Sequence, residues 1–330
     1  MSGMNIQQLE YILAVDTHRH FATAASKSNV TQPTLSMMIR KLEDELGVRI
    51  FDRSKQPIEP TPDGREIILR ARQILADVTH LKEFARGLKS DVSGDIRIAI
   101  IPTLAPYLLP LFLPSFVDRH SSLRVTISEL VTHDIIEALK NGSVDIGLLA
   151  TPLHDPKLVE YPVFYEEFFA YTSDLPVSPS RNTLAPSLKL KASKKKYLLP
   201  KDIDLSRLWL LEEGHCFRNQ VFNLCELKKR DVESDRLHYQ AGSLETLKNL
   251  VDHNKGITIL PLLATRELTA LQRKKIRSFA PPKPVREISL VVNTNYSREK
   301  ILDALKEAIE SCVPEETSRK NLKSNVLEIE

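Results

Sequence analysis

Two of the chain's three cysteines, Cys216 and Cys225, lie nine positions apart in the stretch GHCFRNQVFNLC. The apolar run 208–211 before them predicts a buried strand, and the apolar residues after Cys216 predict a short helix. Cys216 would then lie at the N-terminus of a helix, where exposed N–H groups and the helix dipole favour a thiolate over a thiol. His215 and Arg218 are basic neighbours that add to this effect. The pattern predicts a reactive thiol at Cys216, the alternative being a buried and inert cysteine.

A continuous helix would keep Cys225 away from Cys216. Over nine residues a helix advances by about 13 Å and rotates by about half a turn, whereas a disulfide needs its two Cα atoms within about 7 Å. A bond between the two cysteines would therefore require the helix to unwind, which is typical of a switch rather than of a structural disulfide. The sequence has no Cys-x-x-Cys and no paired histidine spacing, so neither a metal nor another cofactor is predicted.

The whole chain has the composition of a soluble globular protein. Its 330 residues are enough for two or three domains, and its net charge of +3 is compatible with nucleic-acid binding without requiring it. We find no signal peptide at the N-terminus and no run that approaches the roughly 18 apolar residues of a membrane helix. These features predict a cytoplasmic protein with no membrane partner, and in that compartment a cysteine pair is more often redox-sensing, catalytic or metal-binding than structural.

The N-terminal residues predict three short helices, of which the third has two distinct faces. Apolar residues follow one face from Leu35 to Leu46, and Pro33 lies in the first turn, where its missing N–H costs nothing. The other face carries small polar groups and then basic ones, as a recognition helix needs for base edges and phosphates. A basic hairpin over 49–60 would form a wing beside it. A solvated amphipathic helix is an equally good interpretation of this segment taken alone. The candidate DNA-binding residues are Gln32, Pro33, Thr34, Ser36, Arg40 and Lys41 from the helix and Arg53 from the wing.

The next helix carries apolar residues at alternating spacings of four and three, which predicts pairing with a second helix. A dimer formed in this way would place two recognition helices on two half-sites of DNA. The residues of this pattern are Ile67, Ala71, Ile74, Val78, Leu81, Ala85 and Leu88.

Strands alternate with helices beyond a polar linker at 89–94, which indicates an α/β domain with parallel βαβ units. In such sheets ligands bind at the carboxyl ends of strands, beside helix N-termini. Thr103 and Thr132 stand at two such ends and Gly214 lies at a third, although each threonine taken alone is better explained as a helix cap. The Pro-, Ser- and Lys-rich segment 176–199 predicts an exposed loop, Cys312 a passive thiol, and the polar segment 313–330 a disordered tail.

Residues 5–65 resemble the winged helix-turn-helix of LysR-type transcriptional regulators. The resemblance implies a DNA-binding domain at 4–62, a linker and dimerisation helix at 63–91, and a two-lobed regulatory domain similar to periplasmic binding proteins. Its lobes would be 95–172 with 279–312, and 173–278 with the two cysteines. The residues that carry the resemblance are Phe21-Ala22-Thr23-Ala24-Ala25, Thr31-Gln32-Pro33-Thr34-Leu35-Ser36, Ile39-Arg40-Lys41-Leu42-Glu43 and Leu46-Gly47-Val48.

Within this family the chain resembles the members that sense hydrogen peroxide. That resemblance implies that peroxide oxidises Cys216, that Cys225 resolves the product as an intramolecular disulfide, and that the change switches an activator of oxidative-stress genes. It implies operator DNA, hydrogen peroxide, RNA polymerase and further copies of the chain, as a dimer of dimers, as partners. Asn219 departs from an aspartate of well-known members. The residues implied to line the peroxide pocket or to tune the thiolate are Thr103, Thr132, Gly214, His215, Arg218, Gln220 and Arg286.

Two other functions are compatible with these features. A LysR-type regulator could respond to a small metabolite, with both cysteines incidental. A thiol peroxidase could use Cys216 catalytically, but an enzyme has no use for a recognition helix. We therefore predict a regulator rather than an enzyme.

Overall fold

The structure is a computed structural model that describes residues 3–87, 92–173, 197–200, 203, 207–212, 214–225, 241–254, 256–317 and 326–327. The chain divides into two compact units. One consists of residues 1–91 with 137–145 and 295–298, and the other consists of 92–136, 146–294 and 299–330. Among the described helices, none combines the length and the apolar character needed to cross a membrane.

The N-terminal unit contains a three-helix core and a small hairpin. Its elements are α1 (Ile6–His18), α2 (Phe21–Lys27), α3 (Gln32–Leu46), β1 (Phe51–Asp52), β2 (Glu59–Pro60) and α4 (Pro62–Gly87). Thr31 caps α3 by accepting from the N–H of Thr34, and Gly47 ends the helix at a φ of 67°, where a side chain would be strained. The apolar face of α3 is buried through Leu35, Ile39 and Leu42. The winged helix-turn-helix expected from the sequence is present.

The first turns of helix α4 pack against this core, and later residues of its apolar stripe are exposed. Ile68 and Ala71 are buried in the core, whereas Ile74 and Leu81 are exposed. Ala71 belongs to the predicted seven-residue pattern, but its methyl group packs inside its own chain. The apolar stripe that this chain leaves available to a partner helix therefore begins near Ile74.

The second unit is built on one seven-stranded sheet with the order β4-β3-β5-β9-β6-β7, and β8 pairs with β6. Its strands are β3 (Gly94–Ile100), β4 (Leu123–Glu129), β5 (Ile146–Thr151), β6 (Leu158–Thr172), β7 (Ile257–Pro261), β8 (Ile276–Ser278) and β9 (Val285–Asn293). The helices that lie wholly or partly in this unit are α5 (Ala105–Arg119), α6 (Thr132–Lys140), α7 (Cys216–Leu224), α8 (Leu244–His253), α9 (Leu262–Arg266), α10 (Ala270–Arg273) and α11 (Glu299–Cys312).

The parallel sheet predicted from the sequence holds for only part of this unit. Strand β3 pairs with β4 and β5 in parallel, but β9 pairs antiparallel with β5 and β6, and β6 pairs antiparallel with β7 and β8. The long strand β6 pairs with β9 up to Glu167 and with β7 from Phe168 onwards. Strand β6 therefore changes its pairing partner from β9 to β7 at residues 166–168, and the candidate site lies next to this point. The buried strand predicted at 208–211 is reduced to single bridges at Leu208 and Leu211.

Two pieces of the C-terminal tail pack against this unit, which differs from the predicted disorder. A 3-10 turn at Glu315–Thr317 contacts β6 and buries Thr317 completely. Val326 forms a parallel bridge with Val285, and the Leu327 N–H donates to the Val285 carbonyl at 2.9 Å. At Val285 the edge of β9 away from β6 is not covered by β5, so two apolar tail residues can pair there. The rest of the tail and most of the predicted loop 176–199 lie outside the described residues.

Candidate functional site

Cys216 is the first residue of α7, as the sequence predicted, and it is only 4 % exposed. Gly214 precedes it with a φ of 94°, a conformation that favours glycine, and His215 continues in extended conformation. Cys225 follows the last residue of the helix and is half-buried. Both cysteines are free thiols at opposite ends of α7. A disulfide between them requires a change in this helix.

The environment of Cys216 differs from the predicted one. Burial raises the pKa of the thiol, and this effect outweighs the Thr132 hydroxyl, the Arg286 charge and the backbone groups of Phe217 and Ala150, all of which lower it. The sequence revealed the helix start but not the depth of burial, which acts on this pKa in the opposite direction, and the reactivity of Cys216 stays a prediction.

Neither basic neighbour in the sequence supplies charge to the thiol. Burial lowers the pKa of His215, although Glu212 lies 3.7 Å from its ring. The Arg218 guanidinium donates to the Leu211 carbonyl at 2.7 Å and lies over the ring of Phe222. His215 is thus a neutral neighbour, and Arg218 is used to fix α7.

Arg286 is the charged group that the fold brings to Cys216. It is fully buried on β9, and its guanidinium carbon lies 5.3 Å from the ring centroid of Phe217. Nε donates to Glu166 at 2.7 Å, while Nη1 and Nη2 donate to the hydroxyl and the carbonyl of Thr103 at 2.9 and 3.3 Å. The other oxygen of Glu166 accepts from the N–H of Leu263 at 3.1 Å.

The sequence did not reveal Glu166 as part of this site. The available signal was a carboxylate within the apolar run of β6, since such a group in a buried strand requires a counter-charge. Glu166 and Arg286 are register partners on adjacent strands. The sheet therefore fixes an ion pair beside Thr103 and Phe217.

Two buried polar side-chain atoms on α6 and α7 have no hydrogen-bond partner among the described residues, namely Thr132 Oγ1 and Gln220 Oε1. The Thr132 hydroxyl still lowers the pKa of Cys216, which places it beside the sulfur. Gln220 lies one turn after Cys216 on the same face of α7, and its Nε2 donates to the Leu327 carbonyl at 3.3 Å. The site thus offers one hydroxyl and one amide oxygen to a small polar molecule. Asn219, in contrast, is exposed.

The candidate nucleic-acid interface is the outer face of α3. The exposed residues of this face are Gln32, Pro33, Thr34, Met37, Arg40 and Lys41. This arrangement agrees with the predicted recognition helix.

Arg53 and Ser36 differ from the other candidate DNA-binding residues because they contact each other. Arg53 donates to the Ser36 hydroxyl at 3.3 Å and to Glu43 at 3.1 Å, and its guanidinium lies over the ring of Phe21. Its side chain is only 25 % exposed. Arg53 therefore fastens the hairpin to α3, in addition to any phosphate contact.

An exposed helix face in the first unit and a sheet with a buried thiol in the second define a DNA-binding regulator with a separate sensing domain. Comparison with protein families agrees. Residues 6–65 match the bacterial regulatory helix-turn-helix protein family of lysR type, and residues 89–312 match the LysR substrate binding domain. The chain belongs to the LysR family of transcriptional regulators, as predicted.

Within this family the chain closely resembles OxyR. The hydrogen peroxide-inducible genes activator of Haemophilus influenzae is 34% identical over 87% of this chain and 90% of its own length. The DNA-binding transcriptional dual regulator OxyR of Escherichia coli K12 is 34% identical over 93% of this chain and 95% of its own length. A full-length OxyR variant from Pseudomonas aeruginosa has a similar structure, with a TM-score of 0.73, 28% identity, and coverage of 94% of this chain and 99% of that one.

Proposed function

We propose that the chain is a peroxide-sensing transcriptional regulator in which Cys216 is the oxidised thiol and Cys225 the resolving thiol. The observation that carries the proposal is a buried cysteine at a helix start with a buried, unpartnered hydroxyl beside it. Hydrogen peroxide is small enough for such a site and can both donate to and accept from the free polar atoms of Thr132 and Gln220. The names of the similar proteins support the same function.

The chemistry requires only the two thiols and peroxide. The Cys216 sulfur attacks one peroxide oxygen, the O–O bond breaks, and the leaving hydroxide takes a proton to give water and a sulfenic acid. The Cys225 sulfur then attacks the oxidised sulfur and displaces a second water, which leaves the disulfide. Because burial raises the pKa of Cys216, the proton must leave as peroxide binds. Thr132 and Arg286 favour the thiolate at that moment.

One experiment tests the proposal against its alternatives. Reduced protein is treated with one equivalent of peroxide and examined by intact mass and peptide mapping. We expect the loss of two hydrogens and a crosslink between the peptides that contain Cys216 and Cys225. An unmodified pair would favour a metabolite-responsive regulator instead. Sustained peroxide consumption with an added thiol reductant would favour a thiol peroxidase.

The regulator would act on DNA through α3. We expect Arg40→Ala to weaken binding to all sequences about equally and to lower the salt slope by about one unit, since one phosphate contact is lost. Arg53→Ala should in addition lower the melting temperature, because Glu43 would lose a charged donor in a largely buried site, at a cost of about 1–3 kcal/mol. Binding measured at several salt concentrations, together with thermal unfolding, distinguishes the two. An unchanged salt slope for Arg40→Ala would show that Arg40 does not contact a phosphate.

The regulator would bind its operator as a dimer, or as a dimer of dimers, through α4. Ile74→Asp should abolish the dimer, because a carboxylate would be desolvated in the helix–helix contact. Thr79→Asp is the matched control, since it adds the same charge at an exposed position on another face of α4. Sedimentation should show a monomer for the first and a dimer for the second. An intact Ile74→Asp dimer would exclude the proposed contact. Recruitment of RNA polymerase, activation of transcription and the cytoplasmic location remain part of the proposal.

A further inference from the structure

Among the groups that favour a thiolate at Cys216, Arg286 is the one with a full charge. A buried charge acts over a longer range than an exposed one because the interior screens it less. Arg286 is fully buried and contacts Phe217, the residue that follows Cys216. Left unpaired, such a cation would strongly stabilise a nearby thiolate.

Glu166 already balances part of this charge. Glu166 is also fully buried, its Oε1 lies 2.7 Å from Nε and 2.5 Å from Nη2 of Arg286, and the strand register holds the two side chains together. The pair should therefore stabilise a Cys216 thiolate less than a free cation would. The same contact fixes the guanidinium where Nη1 donates to the Thr103 hydroxyl, so that this hydroxyl can donate its own hydrogen elsewhere.

We propose that Glu166 is a positioning residue that sets the reactivity of Cys216. As the counter-ion of Arg286, it limits how far the guanidinium charge stabilises a Cys216 thiolate, and it thereby sets how readily the thiol reacts with its oxidant. The statement about the oxidant rests on the proposed function. The effect on the thiol does not, because it applies to any electrophile that reaches Cys216.

The other titratable groups around the pair do not replace Glu166. His215 is neutral beside Cys216, and the partly exposed Glu212 lies 3.7 Å from its ring. On α5 and α8, burial raises the pKa of Tyr107, whose hydroxyl donates to Glu245, and that carboxylate is also paired with Lys248. Glu287, which follows Arg286 on β9, accepts instead from the hydroxyls of Tyr165 and Thr151.

The test uses the full chain with Cys225→Ser and Cys312→Ser, so that Cys216 is the one remaining cysteine. The rate of alkylation by iodoacetamide is measured against pH, together with the ultraviolet absorbance of the thiolate. Glu166→Gln should move the midpoint of both profiles to lower pH by about one to three units, as expected for a newly unpaired neighbouring cation. Glu287→Gln is the matched control, a neighbouring buried carboxylate without contact to Arg286, and should leave the midpoint unchanged.

A second variant removes both charges and keeps the test valid if Glu166→Gln does not fold. Replacing a buried ion pair by uncharged groups is often tolerated. Glu166→Gln combined with Arg286→Met should leave the midpoint close to that of the parent chain, because the intact pair contributes little net charge. A rise of more than one unit in this double variant would show that Arg286 acts as a free cation in the parent chain, and it would overturn the proposal.

The outcomes separate this inference from the proposed function. If peroxide oxidises Cys216 in the parent chain but Glu166→Gln folds with an unchanged midpoint, the inference fails and the peroxide function stands. If the midpoint shifts as expected but peroxide leaves Cys216 unmodified, the inference holds and the peroxide function fails.

Discussion

The Cys225→Ser variant should stop at the first step of oxidation. Peroxide would convert Cys216 to a sulfenic acid, no second thiol would be available at the end of α7, and excess peroxide would carry the product on to the sulfinic acid. Cys216→Ser should not respond at all, because an alcohol cannot form the sulfenic state. Trapping the sulfenic acid with a dimedone-type reagent, followed by peptide mass analysis, measures both results.

The position of Cys225 explains why its loss should have so large an effect. Burial raises the pKa of this thiol to about 12, so in the reduced form it is protonated and a poor nucleophile. It becomes competent only when the segment moves and exposes it next to the oxidised sulfur. Resolution therefore depends on the conformational change and on this particular thiol.

Cys312 provides the matched control for this experiment. It lies at the end of α11, half-buried, with its sulfur 3.2 Å from the Ile309 carbonyl. Cys312→Ser should form the same disulfide as the parent chain at the same rate. A crosslink between Cys216 and Cys312 in the Cys225→Ser variant would mean that Cys225 is not the required resolving thiol.

Local pattern was sufficient to predict much of this fold. The apolar period of α3, its proline in the first turn and the basic residues opposite predicted a recognition helix that the structure contains. The alternation of strands and helices predicted β3, β4 and β5 and their parallel pairing. These features depend on neighbours in the chain, and such neighbours are visible in a sequence.

Features that depend on distant residues were not predictable in the same way. Strand β6 joins two groups of strands and pairs antiparallel with β9, more than 100 residues later. Glu166 belongs to the site only because that register places it against Arg286. The pKa of Cys216 depends on burial by several elements at once, which the helix start alone does not reveal. The resemblance supplied Arg286, which no local pattern indicated.

Oxidation should unfold α7 and release the tail segment that contacts it. A Cys216–Cys225 bond is incompatible with nine residues of continuous helix, because about 13 Å of helical rise would separate the two Cα atoms. Buried contacts must then break. These include Phe217, whose ring centroid lies 5.3 Å from that of Phe168, and Gln220, whose amide donates to the Leu327 carbonyl.

Hydrogen exchange of the reduced and the disulfide-bonded protein measures this change directly. Amides of residues 218–225 should exchange about tenfold faster or more after oxidation, because the helical hydrogen bonds of α7, including that from the N–H of Cys225 to the Val221 carbonyl, are lost. The N–H of Leu327 should follow, since its segment loses the contact with Gln220. Helix α8 in the same unit contains no cysteine and should keep its protection, which makes it the internal control.

The comparison with α8 also decides how the result is interpreted. Faster exchange in α7 and at Leu327 with an unchanged α8 would locate the conformational change in α7 and in the tail segment 326–327. Faster exchange in all three would indicate general destabilisation of the unit by the disulfide. If mapping showed the Cys216–Cys225 bond and α7 kept its protection, the helical separation of the two thiols would be refuted, because they could then meet without unwinding.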